Sequence, residues 1–163
     1  MKICELFAGV GGFRFGLEKF SKKDFNTVFF NQWEPSYKTQ FAYECYVHNF
    51  GIDNISDNLK PYTNVDIHAV PKEELPDFDL LVGGFPCQNY SVAGPKSSRG
   101  IEGEKGVLWW DIRSTLEAKN PPFVLLENVD RLLKSPASQR GRDFGIILKC
   151  FDELDYNVQW RVI

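Results

Sequence analysis

The sequence predicts an α/β fold in which a mostly parallel sheet carries helices on both faces. Two observations predict it. Short apolar runs alternate with stretches of helical periodicity, and the first run opens directly onto a glycine-rich turn. Strands separated by helices pair in parallel, because the chain must cross over the sheet to return. Ile3 to Phe7 reads as a short buried strand leading into Gly9-Val10-Gly11-Gly12, and a helix from about Phe13 to Phe20 follows. Thr27 to Asn31, β-branched and aromatic, is a second strand. Pro35 suits the first turn of a helix reaching about Asn49, where Gly51 stops it. Val65 to Ile67 reads as a short strand end, Phe78 to Val82 as a fourth strand, and Phe123 to Leu126, bounded by Pro121-Pro122, as a fifth. Phe144 to Leu154 has helical spacing, and Val158 to Ile163 reads as a last strand.

Composition agrees with that class. The 163 residues are 43% hydrophobic and 25% charged, which excludes disorder, collagen and coiled coil and suits one compact core. No apolar run approaches the ~18 residues of a membrane helix, and Met1 to Glu5 does not read as a secretory signal. A formal charge of −3 excludes a histone-like polycation, though not a local basic surface. Cys4, Cys45, Cys87 and Cys150 are far apart, without a CxxC pair and with only two histidines in the chain. A metal site or disulfide scaffold is not expected, and a reducing cytoplasm is the expected setting.

Two segments exceed ordinary connections: residues 83–106, rich in Gly, Ser and Pro, and residues 130–142. Both leave the carboxyl ends of strands, where ligands bind in open α/β sheets. Lys96, Arg99 and Lys105 lie in the first segment; Arg131, Lys134, Arg140 and Arg142 lie in the second. They suit phosphate contacts or, equally, a solvated loop.

Four motifs carry chemistry. Phe7-Ala8-Gly9-Val10-Gly11-Gly12-Phe13 lets backbone approach a nucleotide-like ligand, but Arg14 stands where a dinucleotide fingerprint needs its third glycine. An adenosyl or amino-acid group suits it better than a pyrophosphate. In Asn31-Gln32-Trp33-Glu34-Pro35 a carboxylate can accept from a ribose diol and the indole can lie on adenine. A helix-capping acid beside a core tryptophan is the equal alternative. Asp66 is placed to reach an adenine amino group, although Asp is also a common turn residue. Gly83-Gly84-Phe85-Pro86-Cys87-Gln88 presents Cys87 at the mouth of a long loop as an accessible nucleophile, whereas Cys4, Cys45 and Cys150 read as small buried hydrophobes. Leu125-Leu126-Glu127-Asn128-Val129 ends an apolar strand with a carboxylate expected to be partly desolvated, suited to holding a proton. The Cys87 and Glu127 strand ends are expected to converge from neighbouring strands.

Assembled, these residues resemble the amino-terminal part of a DNA (cytosine-5)-methyltransferase. Gly84-Phe85-Pro86-Cys87-Gln88 is similar to that family's nucleophile motif, and Glu127-Asn128-Val129 to its catalytic-glutamate motif. Phe7 to Phe13 is similar to its S-adenosylmethionine turn, and Gly106 to Ile112 to the helix that closes the cofactor pocket. The resemblance implies a Rossmann-like S-adenosylmethionine-dependent methyltransferase fold, with residues 1–163 as the amino-terminal part of the catalytic domain. It makes Cys87 the nucleophile and Glu127 the group that holds cytosine. Phe7, Gly9, Gly11, Gly12, Trp33, Glu34, Asp66, Ile67, Pro86 and Leu108 become the cofactor pocket, and Gln88, Ser91, Arg99 and Asn128 the substrate contacts. The implied partner is double-stranded DNA with a flipped cytosine; S-adenosylhomocysteine is the product.

In many members an acid precedes the tryptophan, whereas this chain has Gln32-Trp33-Glu34, so the ribose contact falls to Glu34 or to a neutral Gln32. The family continues past the last strand into a target-recognition domain and a returning helix. The expectation is therefore a fold incomplete at its carboxy end, with weak cofactor binding and no methylation unaided. A noncatalytic subunit of a split enzyme and a transfer-RNA cytosine methyltransferase are the rival readings.

Overall fold

The computed structural model describes residues 1–21, 23–86, 107–134 and 140–163. Its contacts divide into two units, one of residues 1–84 with 118–127 and one of residues 85–117 with 128–163.

The first unit holds the sheet. Four parallel strands, β1 (Lys2–Leu6), β2 (Asn26–Asn31), β3 (Leu80–Gly84) and β4 (Phe123–Glu127), lie in the order β2-β1-β3-β4. The order reverses direction at β1/β3, the switch point where open sheets of this kind place ligands. The β1–β2 register shifts between Ile3 and Cys4, skipping Val28, so Phe29 pairs with Cys4 and Phe30 with Glu5; the two rings lie on opposite faces and both are fully buried.

Alternation puts Ile3, Glu5, Phe30, Leu80 and Val82 on one face. Helix α1 (Gly12–Ser21) lays Phe13 and Leu17 against Ile3, Leu80 and Val82. Helix α2 (Phe41–Phe50) stacks Tyr46 on Phe30, ring centroids 4.0 Å apart. On the opposite face Asn31 Nδ2 donates to the carbonyls of Tyr62 and Val65, at 2.9 and 3.0 Å, fixing the segment after α2 to the end of β2.

The second unit contains α3 (Val107–Lys119, its last two residues belonging to the first unit), a short 3-10 helix over Asp130–Lys134, and α4 (Arg142–Glu153). Trp109 is buried between Phe85 and Phe151, with centroids at 6.1 and 5.3 Å. Arg113 joins α3 to α4 through Glu153 and the Cys150 sulfur.

Several sequence expectations need correction. Helix α2 begins at Phe41, not Pro35, because Gln40 folds back: its Oε1 accepts from Glu34 N and its Nε2 donates to the Glu34 and Tyr37 carbonyls. That side chain holds residues 34–37 in turns. Val65 to Ile67 is not a strand, since Asp66 Oδ1 accepts from His68 N and caps a 3-10 turn over Ile67–Ala69. Val158 to Ile163 pairs with no strand among the described residues, and Val158, Trp160 and Val162 are exposed. Cys45 is exposed rather than buried, while Cys4 and Cys150 are buried. No helix of the described residues is long and apolar enough to cross a membrane.

Candidate active site

The carboxyl ends of β1 and β2 form the best-defined part of the site. Three residues in five have positive φ: Phe7 at 54°, Gly9 at 56° and Gly11 at 90°. Phe7 there is a strained, non-glycine residue, the kind of outlier that accumulates at binding sites. Nothing lies within 4 Å of where a Cβ would stand at Gly9 or Gly12, so the turn presents open backbone. At Gly11 a Cβ would come within 2.3 Å of the Phe50 ring and 3.1 Å of the Tyr46 ring. The turn therefore rests on those two aromatics. It closes with Gly11 N donating to Ala8 O at 2.8 Å, and α1 starts with Phe15 N donating to Gly11 O.

At the end of β2, Gln32 Oε1 accepts the Gly9 amide at 2.7 Å. This joins the glycine turn directly to the second strand, a contact that sequence reasoning missed. Gln32→Ala is expected to leave that amide without its acceptor, costing about 1 kcal/mol. Urea unfolding and faster exchange of the Gly9 amide check it. Glu34 Oε2 accepts from Ala42 N at 2.9 Å, so this acid caps α2, as one of the two sequence readings held. The core-tryptophan reading is wrong, because Trp33 is 39% exposed. Ile67 is buried directly after Asp66.

At the far side of the switch point, β3 and β4 pair with Gly84 opposite Glu127. Glu127 Oε2 lies 3.0 Å from where a Gly84 Cβ would be, so the carboxylate leans across the end of β3. Cys87 follows three residues later and, with Gln88, Ser91 and Arg99, lies outside the described residues. Glu127 is exposed rather than desolvated, because β4 is an edge of the described sheet and alternates exposed with partly buried positions. In the second unit Asn128 Nδ2 donates to Phe85 O at 3.0 Å, and its Oδ1 accepts from Val129 N. Asn128 thereby ties down the backbone ahead of Cys87. Leu108 is half-buried in the first turn of α3, and Pro86 is exposed.

Behind the turn lies a buried charged cluster. Glu5, fully buried in the middle of β1, accepts from Tyr46 Oη at 2.8 Å and from Arg14 N at 3.4 Å. Arg14 also contacts Tyr46 Oη at 3.5 Å and pairs with Glu18 at 3.1 Å. Its guanidinium lies 4.9 Å from the Phe50 ring centroid. Burial pushes the Glu5 carboxyl up from 4.5 to about 7, against the lowering effect of Tyr46 and Arg14. Burial likewise raises the Tyr46 phenol and the Cys4 thiol, so Cys4 is an inert thiol.

The sign of the linkage follows. Glu5 titrates higher folded than unfolded, so its contribution is fully present below about pH 4.5 and is lost as pH rises through about 7. A loss of about 3 kcal/mol between pH 5 and pH 8 is expected in urea unfolding, less any offset from other groups. Glu5→Gln should flatten this dependence.

A cavity of about 260 Å³ lined by Arg14, Glu18, Phe25, Asn26, Phe50, Asp53 and Asn54 opens beside the amino end of β2, away from these strand ends. Among the described residues no cluster of His, Cys, Asp and Glu could hold a metal ion.

The family model for C-5 cytosine-specific DNA methylases matches residues 1–163. The chain belongs to this family. Among curated members of the cytosine methylases, it is 51% identical over its whole length to the type II methyltransferase M.Sau3AI of Staphylococcus aureus, covering 39% of that protein. It is 36% identical over 99% of its length to M.NgoBI of Neisseria gonorrhoeae, covering 44%. It is 32% identical over its whole length to M.HhaI of Haemophilus parahaemolyticus, covering 43%. The chain thus spans about two-fifths of these relatives.

Two solved structures share the fold. A prophage-encoded DNA modification methyltransferase from E. coli superposes with a TM-score of 0.61 at 22% identity, over 95% of this chain and 37% of that one. The Dnmt2 methyltransferase of S. pombe superposes at 0.57 and 18% identity, over 91% and 40%. The Rossmann-like, parallel α/β class read from the sequence is thereby established.

Proposed function

We propose that this chain is the amino-terminal catalytic portion of an enzyme that methylates C5 of a cytosine flipped out of double-stranded DNA, drawing the methyl group from S-adenosylmethionine. The observation that carries the reading is the Gly84–Glu127 register. It sets the carboxylate of Glu127-Asn128-Val129 across the end of the strand that runs on, three residues later, into Cys87. Family membership and the 51% identity to a type II methyltransferase support it from outside the geometry.

The residues present fit the cofactor. The open backbone at Gly9 and Gly12 accepts close approach of an amino-acid or adenosyl group, and the exposed Trp33 offers a face for adenine. Phe7 and Gly11 shape the turn. Asp66 and the buried Ile67 supply a polar and an apolar contact at the next loop, while Pro86 and Leu108 are assigned to the pocket by motif alone. Gln32 Oε1 already accepts from Gly9 and one Glu34 oxygen from Ala42, so the other Glu34 oxygen is the acceptor we assign to a ribose hydroxyl. S-adenosylmethionine, when bound, supplies an electrophilic methyl on its sulfonium.

The chain's own groups do the rest. The cytosine ring is a weak carbon nucleophile until the Cys87 thiolate adds at C6 and turns C5 into an enamine carbon. Glu127 contacts N3 and the exocyclic amine and offsets the charge that develops there. Once C5 has bonded to the methyl carbon, the sulfonium becoming a neutral thioether, loss of the C5 proton to a base such as water would expel the Cys87 thiolate and restore the aromatic ring. A stacked base offers no such approach, so the cytosine must leave the duplex. Gln88, Ser91 and Arg99 are assigned to the base and DNA backbone. A reducing cytoplasm keeps Cys87 free for this role.

The test is transfer of a labelled methyl group to duplex DNA. It is run with the chain alone and with the chain completed by the carboxy-terminal portion its relatives carry, with an RNA of equal sequence as comparison. The proposal expects 5-methylcytosine in DNA from the completed protein, and little or none from the chain alone. Labelled adenine, label on the cytosine N4, or transfer confined to RNA would overturn it.

A further inference from the structure

We propose that Glu5, acting through Tyr46 and the Arg14 main chain, is a positioning residue that fixes the Gly9–Gly12 turn. The inference rests on reading that turn as the cofactor cradle. Glu5 stands in a strand whose other central residues, Ile3, Cys4 and Leu6, are apolar and buried. A leucine would fill such a place without the cost of desolvating a carboxylate. What the carboxylate adds is a pair of acceptors. One oxygen takes the Arg14 amide in the first turn of α1, immediately after the glycines. The other takes the Tyr46 hydroxyl, and the edge of that ring is the surface on which Gly11 lies. The Arg14 guanidinium lies over the Tyr46 and Phe50 rings, 5.6 and 4.9 Å from their centroids. Both ends of the turn's support therefore converge on one side chain.

The groups facing Glu5 are Arg14 and Glu18 from α1, Tyr46 from α2 and its own neighbour Cys4 in β1. Burial raises the Glu5 carboxyl to about 7, so its charge changes near neutrality. The ionised carboxylate accepts from both donors. The protonated form has an O–H that competes for one of them. The turn should therefore be held more firmly, relative to the rest of the sheet, above pH 7 than below it.

Amide hydrogen exchange on this chain tests the inference, with residues 9–14 compared with Leu81–Gly83 of β3 as the internal reference. The protection of the turn relative to β3 is expected to rise severalfold between pH 5.5 and 8.5. In Glu5→Gln the ratio should be flat, with the turn still protected, because the amide oxygen still accepts. Tyr46→Phe should lower turn protection by about 10-fold, the scale of one hydrogen bond to a charged group, with β3 little changed. A ratio that does not vary with pH in the unmutated chain, or a Tyr46→Phe loss shared equally by β3, would overturn the proposal. Excess S-adenosylhomocysteine separates the two readings. If it gives no added protection even in the chain joined to the carboxy-terminal portion its relatives carry, while the pH-dependent ratio persists, the cradle reading fails and the positioning role stands.

Discussion

Cys87→Ser, in the chain joined to the carboxy-terminal portion that its relatives carry, is expected to lower methyl transfer by roughly 10³-fold or more. A serine hydroxyl has almost no anion at neutral pH, whereas a cysteine thiol supplies some and gains more beside positive charge or backbone dipoles. Without addition at C6 the C5 carbon stays part of an aromatic ring and cannot reach the methyl. Family membership, and the place of Cys87 in the sequence three residues after Gly84, which pairs with Glu127, support the proposal that Cys87 is the nucleophile. The other cysteines do not compete on equal terms: Cys4 and Cys150 are buried, and burial raises the Cys4 thiol further. Cys45 is exposed but sits on α2, and Asn49 Nδ2 approaches its sulfur at 3.5 Å. Single-turnover transfer measures the effect, with circular dichroism confirming an unchanged fold. More than a few per cent of activity in Cys87→Ser would refute the assignment.

Gly11→Ala is the substitution expected to damage the fold most among the turn glycines. A Cβ there meets the Phe50 ring at 2.3 Å, and φ of 90° lies outside what an alanine adopts without strain. Phe50 cannot yield freely, because Arg14 lies over it and Tyr46, its neighbour, is held by Glu5. A loss of about 2–4 kcal/mol is expected, from overpacking together with left-handed strain. Gly12→Ala makes the matched control. Gly12 has no neighbour within 4 Å, an ordinary φ and a place in the first turn of α1, so alanine there should be neutral or stabilising by up to about 1 kcal/mol. Urea unfolding of both variants reads the contrast. S-adenosylhomocysteine binding should fall in the first and also in the second, because the new methyl stands in the space assigned to the ligand.

The parts of this fold that are local in origin were legible in the sequence. β1, β2, β3 and β4 are short apolar runs bounded by turn residues, and the glycine turn announces itself by needing positive φ at Gly9 and Gly11. Non-local effects were not. Pro35 looks like a helix start, and only the folded-back Gln40 side chain shows why α2 waits until Phe41. Val158, Trp160 and Val162 carry the alternation of a strand, yet a strand exists only with a neighbour to pair with, and among the described residues they have none. In the site, Glu34 satisfied its capping reading through Ala42, eight residues on. Glu5 went unnoticed because a lone acid in a strand reads as a solvent-facing position. Its signal was there, an acid set between Ile3-Cys4 and Leu6-Phe7, where alternation leaves no polar face. Tyr46 Oη and the backbone amide of Arg14, the residue that spoils a dinucleotide fingerprint, are the donors that offset the cost of burying that acid.

The most direct measurement is covalent trapping on a duplex in which 5-fluorocytosine replaces the target base, using the completed chain and S-adenosylmethionine. Fluorine at C5 cannot depart as the proton does, so once the methyl is transferred the attacking sulfur cannot be expelled. The account predicts a stable protein–DNA adduct whose peptide map places the base on Cys87. An adduct on Cys4, Cys45 or Cys150, or methyl transfer proceeding without any adduct, would contradict it.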